Sequence, residues 1–264
     1  MPQTSALLTV MIAAARKAAR GLSRDFGEIE NLQVSRKGPG DFVTAADHKS
    51  EKVLFEELSK ARPGYGFIME ERGIVEGTDK SHRFIVDPLD GTMNFMHGVP
   101  HFSISIGLER DKELIAGVVY DVIKDEMFWA EKGAGAYVND RRLRVSSRKD
   151  VADALVVTGC TPATVRDEKA RARFDAEFSR VNMSAAGLRR FGSAALDLSY
   201  VAAGRLDAYW ERGLAVWDIA AGAVIVREAG GFCRELDNGD FMETGSILAA
   251  NENLFGPMQK LIRG

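Results

Sequence analysis

A chain of 264 residues, 45% hydrophobic and 28% charged with only seven prolines, carries enough apolar material for one large or two modest domains, which excludes a disordered or fibrous class. Its 35 lysines and arginines nearly balance 38 aspartates and glutamates, and the formal charge of −3 gives no overall bias toward polyanions; a nucleic-acid role would need a local patch. No window approaches the roughly 18 uncharged apolar residues of a membrane span, so the expected compartment is the cytoplasm, with no membrane partner.

The first twenty residues lack a positively charged leader region, and their apolar run leads straight into Arg16, Lys17 and Arg20, as in a mature amphipathic helix. That helix is predicted from about Ser5 to Leu22, with Leu7, Met11, Ala14, Ala15 and Ala18 on one face. A second is predicted from about Asp47 to Ala61, apolar at Val53, Leu54 and Leu58 and stopped by Arg62-Pro63-Gly64. Short β-rich segments follow, "YGFIM", "RFIVD", "FSISIGLER", "ELIAGVVYDVI", "EMFWAE" and "GAYVN", whose lengths and turn spacing predict an antiparallel meander.

Beyond "NDRRLRVSSRKD" the texture changes. Strand "ALVVTG", a charged helix near Asp167 to Val181, helix "AALDLSYVAAG", strand "LDAYW", helix "DIAAGAVIVREAGG", strands "FCREL" and "ILAAN" and a terminal helix alternate as in an α/β half. The expected fold is a layered α+β / α/β sandwich: one unit over 1–264 with two closely packed halves, about 1–142 and 143–264, and no flexible linker. Cys160 and Cys233 fit no metal or redox spacing and read as reduced packing residues.

The chemistry concentrates in "FIVDPLDGTMNF", Phe84 to Phe95. A buried-type strand delivers Asp87 at its carboxyl end, Pro88 forces a turn, and Asp90 swings back toward Asp87. Gly91 permits close backbone approach, and the Gly91 and Thr92 amides can face an anion. Two carboxylates beside such a cradle repel a phosphate unless cations lie between. An aspartyl-nucleophile phosphatase of the haloacid-dehalogenase type would need an aspartate two residues before Asp90, where Pro88 stands. The bland alternative is an Asx-turn after a strand.

A hard-cation site needs oxygen ligands from separated segments. "GFIMEERG" offers Glu70 and Glu71, "GDFVTAADHKSE" offers Asp41, Thr44 and Asp47, and "ERGLAVWDIAAG" offers Asp218. Each has a plainer reading: a surface turn for the glutamates, a helix N-cap for Asp47 and for Asp218. His97 and His101 have no metal-ligand spacing, and "RDEKARARF" reads as a solvated helix face.

"GDFVTAAD", "MEE", "DPLDGTMNF", "FGSAA" and "WDIAAG", in this order and over roughly Lys37 to Asn251, resemble the inositol monophosphatase family of Mg²⁺-dependent, lithium-sensitive sugar phosphatases. The resemblance implies that Glu70, Asp87 and the Leu89 carbonyl hold one Mg²⁺ and Asp87, Asp90 and Asp218 a second, with a third, looser ion near Glu70. It places the phosphate on the Gly91 and Thr92 amides. Thr92, hydrogen-bonded to Asp47, would with Glu70 orient the attacking water. Gly192, Ser193 and Ala194 would approach the polyol, with Glu211 accepting its hydroxyls and Asp90 and Asp218 also at the substrate.

The oxygen-only set suits Mg²⁺, or Mn²⁺ as substitute, rather than zinc. Met93 and Ala215-Val216 depart from the family pattern, and either Arg36 or Lys37 could screen the outer ion. The implied activity is phosphomonoester hydrolysis of a small polyol phosphate, first myo-inositol 1-phosphate, with histidinol phosphate, fructose 1,6-bisphosphate or a nucleotide 3′-phosphate as neighbours. A regulatory protein that binds RNA or a transcription complex is the reading from another class. The resemblance also implies a homodimer.

Overall fold

Residues 4–28, 34–38 and 41–264 are described by the structure, a computed structural model, with side chains described for 4–28 and 44–264. The side chains of Arg36, Lys37 and Asp41 thus lie outside the described residues. Helix α1 (Ala6–Gly27) starts where the Ser5 hydroxyl accepts the Leu8 amide at 3.1 Å. Its buried stripe, Leu8, Met11, Ala14, Ala15, Ala18, Ala19 and Leu22, is mostly alanine, so a second helix can lie close. A short ribbon, β1 (Val34–Gly38) and β2 (Asp41–Thr44), leads into that helix, α2 (Ala45–Ala61).

Eight strands then form one sheet: β3 (Gly66–Met69), β4 (Gly73–Val75), β5 (His82–Asp90), β6 (Ser103–Arg110), β7 (Glu113–Asp121), β8 (Glu126–Glu131), β9 (Gly135–Val138) and β10 (Arg141–Arg142), with the short helix α3 (Thr92–Met96) between β5 and β6. The spatial order is β10-β9-β8-β7-β6-β5-β3-β4. From β5 onward it is the expected meander, but β3 runs parallel to β5. The difference comes from β4, three residues too short to read in the sequence. It pairs antiparallel with β3, and residues 76–81 then carry the chain back to start β5 beside β3.

After a 3-10 turn at Val151–Asp153 come β11 (Leu155–Thr158), α4 (Pro162–Arg166), α5 (Glu168–Ser184), β12 (Gly187–Arg189), α6 (Ala194–Ala202), β13 (Ala208–Glu211), α7 (Val216–Glu228), β14 (Phe232–Glu235), α8 (Phe241–Thr244), β15 (Ile247–Ala250) and α9 (Glu252–Arg263). Their five strands lie in the order β12-β11-β13-β15-β14.

Three apolar clusters order the layers. On β5, alternation sends Phe84 and Val86 into the cluster with α1 and α2, and Ile85 into the one with α6 and α7. That middle cluster also takes Val157, Tyr209 and Ala249 from the smaller sheet, whose other face packs Val156, Trp210 and Leu248 with Val181 of α5 and Met258 of α9. The result is an αβαβα sandwich. Helix α7 can lie directly on the large sheet because Gly107 and Gly117 face each other across β6 and β7. A Cβ on Gly117 would stand 2.4 Å from the Ala221 carbonyl oxygen, and one on Gly107 2.9 Å from the Ala220 Cβ.

Candidate metal and phosphate site

Residues three apart on a regular strand point to opposite faces. Asp87 and Asp90 nevertheless share one, because β5 does not stop at Pro88 as expected from the sequence. It continues through a bulge: Asp87 pairs with Ser105 and Asp90 with Ser103, so two residues of β5 stand against Ile104 alone. The Pro88 carbonyl, excluded from the ladder, accepts the Ser50 hydroxyl at 2.8 Å. The Asx-turn is present too, with the Leu89 amide donating to Asp87 Oδ1 at 2.9 Å; turn and carboxylate cluster coexist.

The bulge aims both carboxylates at α6 and α7. Asp90 receives the Ser193 hydroxyl, the Ala195 amide at 2.9 Å, the Ala194 amide at 3.2 Å and the Ser103 hydroxyl at 3.3 Å. It is therefore clamped to the N-terminus of α6, where backbone N–H groups favour an anion. Burial still pushes it up to about 6, against the pull of these four donors. Ser193 and Ala194, expected to approach the polyol, are both buried, and their donors go to Asp90. Gly192 remains exposed.

Asp218 comes from α7. It is the third residue of the helix rather than its N-cap, and its Oδ2 accepts the Ala215 amide at 2.8 Å. Asp87, Asp90 and Asp218 each offer an oxygen within 4.8 Å of the others, a grouping able to hold a metal ion. Asp87 is pushed well above the usual carboxylate range by burial, then by the charges of Glu70, Asp90 and Asp218. Asp218 moves the same way through burial and Asp90. Glu70 follows the end of β3, its amide donating to the Val86 carbonyl at 3.3 Å, and its charge acts on both aspartates.

Asp47 is likewise not a cap. Thr44 caps α2, and Asp47 closes a capping box by accepting the Thr44 amide at 2.8 Å and hydroxyl at 2.6 Å on Oδ2. Its other oxygen faces the Thr92 hydroxyl at 3.2 Å, which also lies 3.0 Å from the Leu89 carbonyl. Burial raises the Asp47 pKa. Gly91 caps α3 with φ at 98°, and a Cβ there would press on the His101 carbonyl at 3.1 Å and the Gly192 carbonyl at 3.3 Å. Only glycine suits that turn.

Glu211 ends β13, buried, with the Tyr209 hydroxyl donating to it at 2.8 Å. Burial pushes it up to about 7, Tyr209 and Arg190 pulling down and Asp90 pushing up. Residues missed in the sequence include Ser103 and Ala195, which help to hold Asp90, and Asp197, buried in α6 with neither carboxylate oxygen hydrogen-bonded. Its place in the first turn of α6, where an acidic residue is ordinary, gave no signal. His101 is held near 4 by burial and packs against Phe191 at 5.2 Å; the His97 ring bonds the Met93 carbonyl at 2.8 Å. Both cysteines are free thiols.

These raised acids set a pH dependence. Glu211 (ordinarily 4.5) and Asp90 (ordinarily 3.8) bind protons in the folded chain at a pH where the unfolded chain does not. Their stabilisation is complete below the ordinary values and is lost as pH rises through about 7 and about 6. His101 acts oppositely: lowered from 6.5 to about 4, it costs stability as pH falls through that interval. The Tm of chelator-treated protein is therefore expected to rise as pH is lowered from about 8 to about 5, with His101 offsetting part of the gain below 6.5, and saturating Mg²⁺ should flatten that rise. Calorimetric scans at several pH values would show it; a Tm that falls over this interval would refute it.

Among the described residues no helix is long and apolar enough to cross a membrane. The inositol monophosphatase family model matches residues 3–262. An inositol-1-monophosphatase of Mesorhizobium japonicum is 55% identical over 98% of this chain and 97% of its own length. The Nus factor SuhB of Haemophilus influenzae is 41% identical over 97% of this chain and 96% of its own. The crystal structure of the extragenic suppressor protein suhB from Bartonella henselae superposes with a TM-score of 0.94 at 50% identity, covering 98% of this chain and 99% of that one. The chain therefore belongs to the inositol monophosphatase family of phosphoric monoester hydrolases.

Proposed function

We propose that the protein is a Mg²⁺-dependent phosphatase of small polyol phosphates, with myo-inositol 1-phosphate as its substrate. The observation that carries this reading is the convergence of Asp87, Asp90 and Asp218 within 4.8 Å, beside the left-handed turn at Gly91 that opens α3. Their mutual repulsion and oxygen-only chemistry fit a hard divalent cation, with Mn²⁺ as substitute. Glu70, Asp87 and the Leu89 carbonyl would hold one ion, Asp87, Asp90 and Asp218 another, with Glu70 also near a third. Bound ions would neutralise the phosphate, acidify water and stabilise the leaving oxygen.

The chain's own groups would position the reactants. A Thr92 hydroxyl that gives its proton to Asp47 or to the Leu89 carbonyl keeps lone pairs for a water, which Glu70 could hold from the other side. The Gly91 and Thr92 amides would take phosphate oxygens. Glu211 would accept polyol hydroxyls, with Gly192, Asp90 and Asp218 lining the same cleft. The relatives named inositol-1-monophosphatase, at 52–55% identity, support this substrate over histidinol phosphate, fructose 1,6-bisphosphate or a nucleotide 3′-phosphate.

Phosphate release from a panel of these esters tests it: turnover is expected with Mg²⁺, fastest on inositol 1-phosphate, together with a Tm raised by Mg²⁺ and lowered by chelator. Turnover indifferent to chelation would sink it. A second reading, a transcription-associated RNA-binding role, draws on the relatives named Nus factor SuhB; it would be favoured by an inert ester panel together with RNA binding. We take the working form to be a cytoplasmic homodimer, on the family resemblance.

A further inference from the structure

Helix α2 buries three polar side chains in one row, Asp47, Ser50 and Glu51. They stand at i, i+3 and i+4, so they share one face of the helix. Asp47 accepts the Thr92 hydroxyl, and Ser50 donates to the Pro88 carbonyl of the bulge. Glu51 lies outside the proposed ligand set, yet it is only 4% exposed. A carboxylate in such a place needs donors, because burying one without them is costly.

Its donors come from the turn that carries Glu70. The β3–β4 ladder ends at Met69 and Gly73, and Glu70, Glu71 and Arg72 form the turn between them. The Glu71 amide donates to Glu51 Oε2 at 2.8 Å, and the Arg72 amide to the same oxygen at 3.2 Å. The Arg72 side chain folds back onto the same helix. Its Nε lies 3.8 Å from Glu51 Oε1, and its guanidinium 4.2 Å from the centre of the Phe55 ring, one helical turn further along.

On the other side, the Glu70 amide donates to the Val86 carbonyl of β5, immediately before Asp87. The backbone at Glu70 is thus pinned from two directions, to β5 through its own amide and to α2 through the two amides that follow. Turns ordinarily move more than the strands they join, and a misplacement of about 1 Å is enough to spoil a reacting geometry. We propose that Glu51 is a positioning residue for the phosphatase reaction: by holding the Glu71 and Arg72 amides, it fixes the Glu70 segment against Asp87 for the first ion. This rests on the metal reading proposed above and extends it to a side chain on α2. What acts is the acceptor oxygen, not the negative charge, which separates positioning from attraction of a cation at a distance.

The test is a Mg²⁺ titration of the full chain, followed by the dependence of Tm on Mg²⁺ and in parallel by phosphate release from inositol 1-phosphate. Glu51→Met keeps the length of the side chain and removes the acceptor. Its apparent Mg²⁺ dissociation constant is expected to rise about tenfold in both readouts, with KM for the ester at saturating Mg²⁺ within about twofold of the parent. Glu51→Gln removes the charge but keeps an acceptor oxygen, and should restore the parent's Mg²⁺ affinity to within about twofold. If Glu51→Met does not fold, Glu51→Asp, one methylene shorter, should weaken Mg²⁺ by at least about threefold.

A Glu51→Met or Glu51→Asp chain that melts lower in chelator but binds Mg²⁺ like the parent would make Glu51 a contact of the fold alone. Equal weakening in Glu51→Gln and Glu51→Met would make it a distant charge. Either result overturns the proposal while a Mg²⁺-responsive parent leaves the phosphatase reading intact. A parent indifferent to Mg²⁺ in both readouts would remove that reading, and this inference with it.

Discussion

Asp87→Asn is expected to lower kcat for Mg²⁺-dependent phosphate release by about three orders of magnitude or more and, in chelator, to raise Tm by about 2–4 °C. The opposite signs have one cause. Asp87 accepts a single backbone amide, from Leu89, and is surrounded by Glu70, Asp90 and Asp218. Making it neutral removes repulsion at the cost of a proposed cation ligand.

Asp90→Asn should be equally inactive but gain no such stability. Four donors converge on Asp90, and an amide group would turn an N–H toward some of them, a loss of about 1–3 kcal/mol. Steady-state phosphate release and melting in chelator, measured on both variants, test the pair. An Asp87→Asn protein that kept a tenth of its activity, or melted below the parent in chelator, would contradict the cluster as described.

Gly117→Val should destabilise the protein by about 3 kcal/mol or more, equivalent to a Tm lower by roughly 6–12 °C, and should weaken Mg²⁺ stabilisation with it. The obstruction is backbone against backbone: the added Cβ would lie 2.4 Å from the Ala221 carbonyl oxygen and 2.9 Å from its Cα. No side-chain rotation relieves that, so α7 must lift from the sheet, carrying Asp218 with it. Gly21→Ala is the control. It lies inside α1 with nothing within 4 Å of the added Cβ, and should be neutral or stabilising by about 0.5–1 kcal/mol. A Gly117→Val protein that melts like the parent would show that α7 does not need the close approach.

The longer helices and most strands were legible because their patterns are long and regular: the alanine stripe of α1, the apolar runs of β6 and β7, the alternation after Asp150. The parallel pairing of β3 with β5 was not, since it depends on β4, whose three residues carry no period. The segments that carry the candidate ligands could be named from residue type and order. Their geometry could not: Pro88 reads equally as a turn former or as part of a bulge, and only the pairing of Asp87 with Ser105 and Asp90 with Ser103 distinguishes them.

Asp47 and Asp218 invited the N-cap reading because they stand at helix starts, yet each is the third residue, where a carboxylate bonds back to the backbone. Asp197 and the Ser193 bond to Asp90 were hidden for another reason. They depend on which helix lies over which strand, and local sequence does not encode that.

The clamp on Asp90 also bears on how the protein is assembled in time. Its hydroxyl partner, Ser193, lies 103 positions further along the chain, and the third carboxylate of the cluster comes later still, on α7. Contacts of such long sequence separation require closure of large loops and belong to the slow part of folding. A nascent chain that has completed β5 and β6 has only Asp87 and Asp90 of that trio. The carboxylate cluster proposed to hold the ion is thus finished only when α7 reaches the sheet, so that a cation held there would bind tightly only to a chain that has already joined its early and late segments.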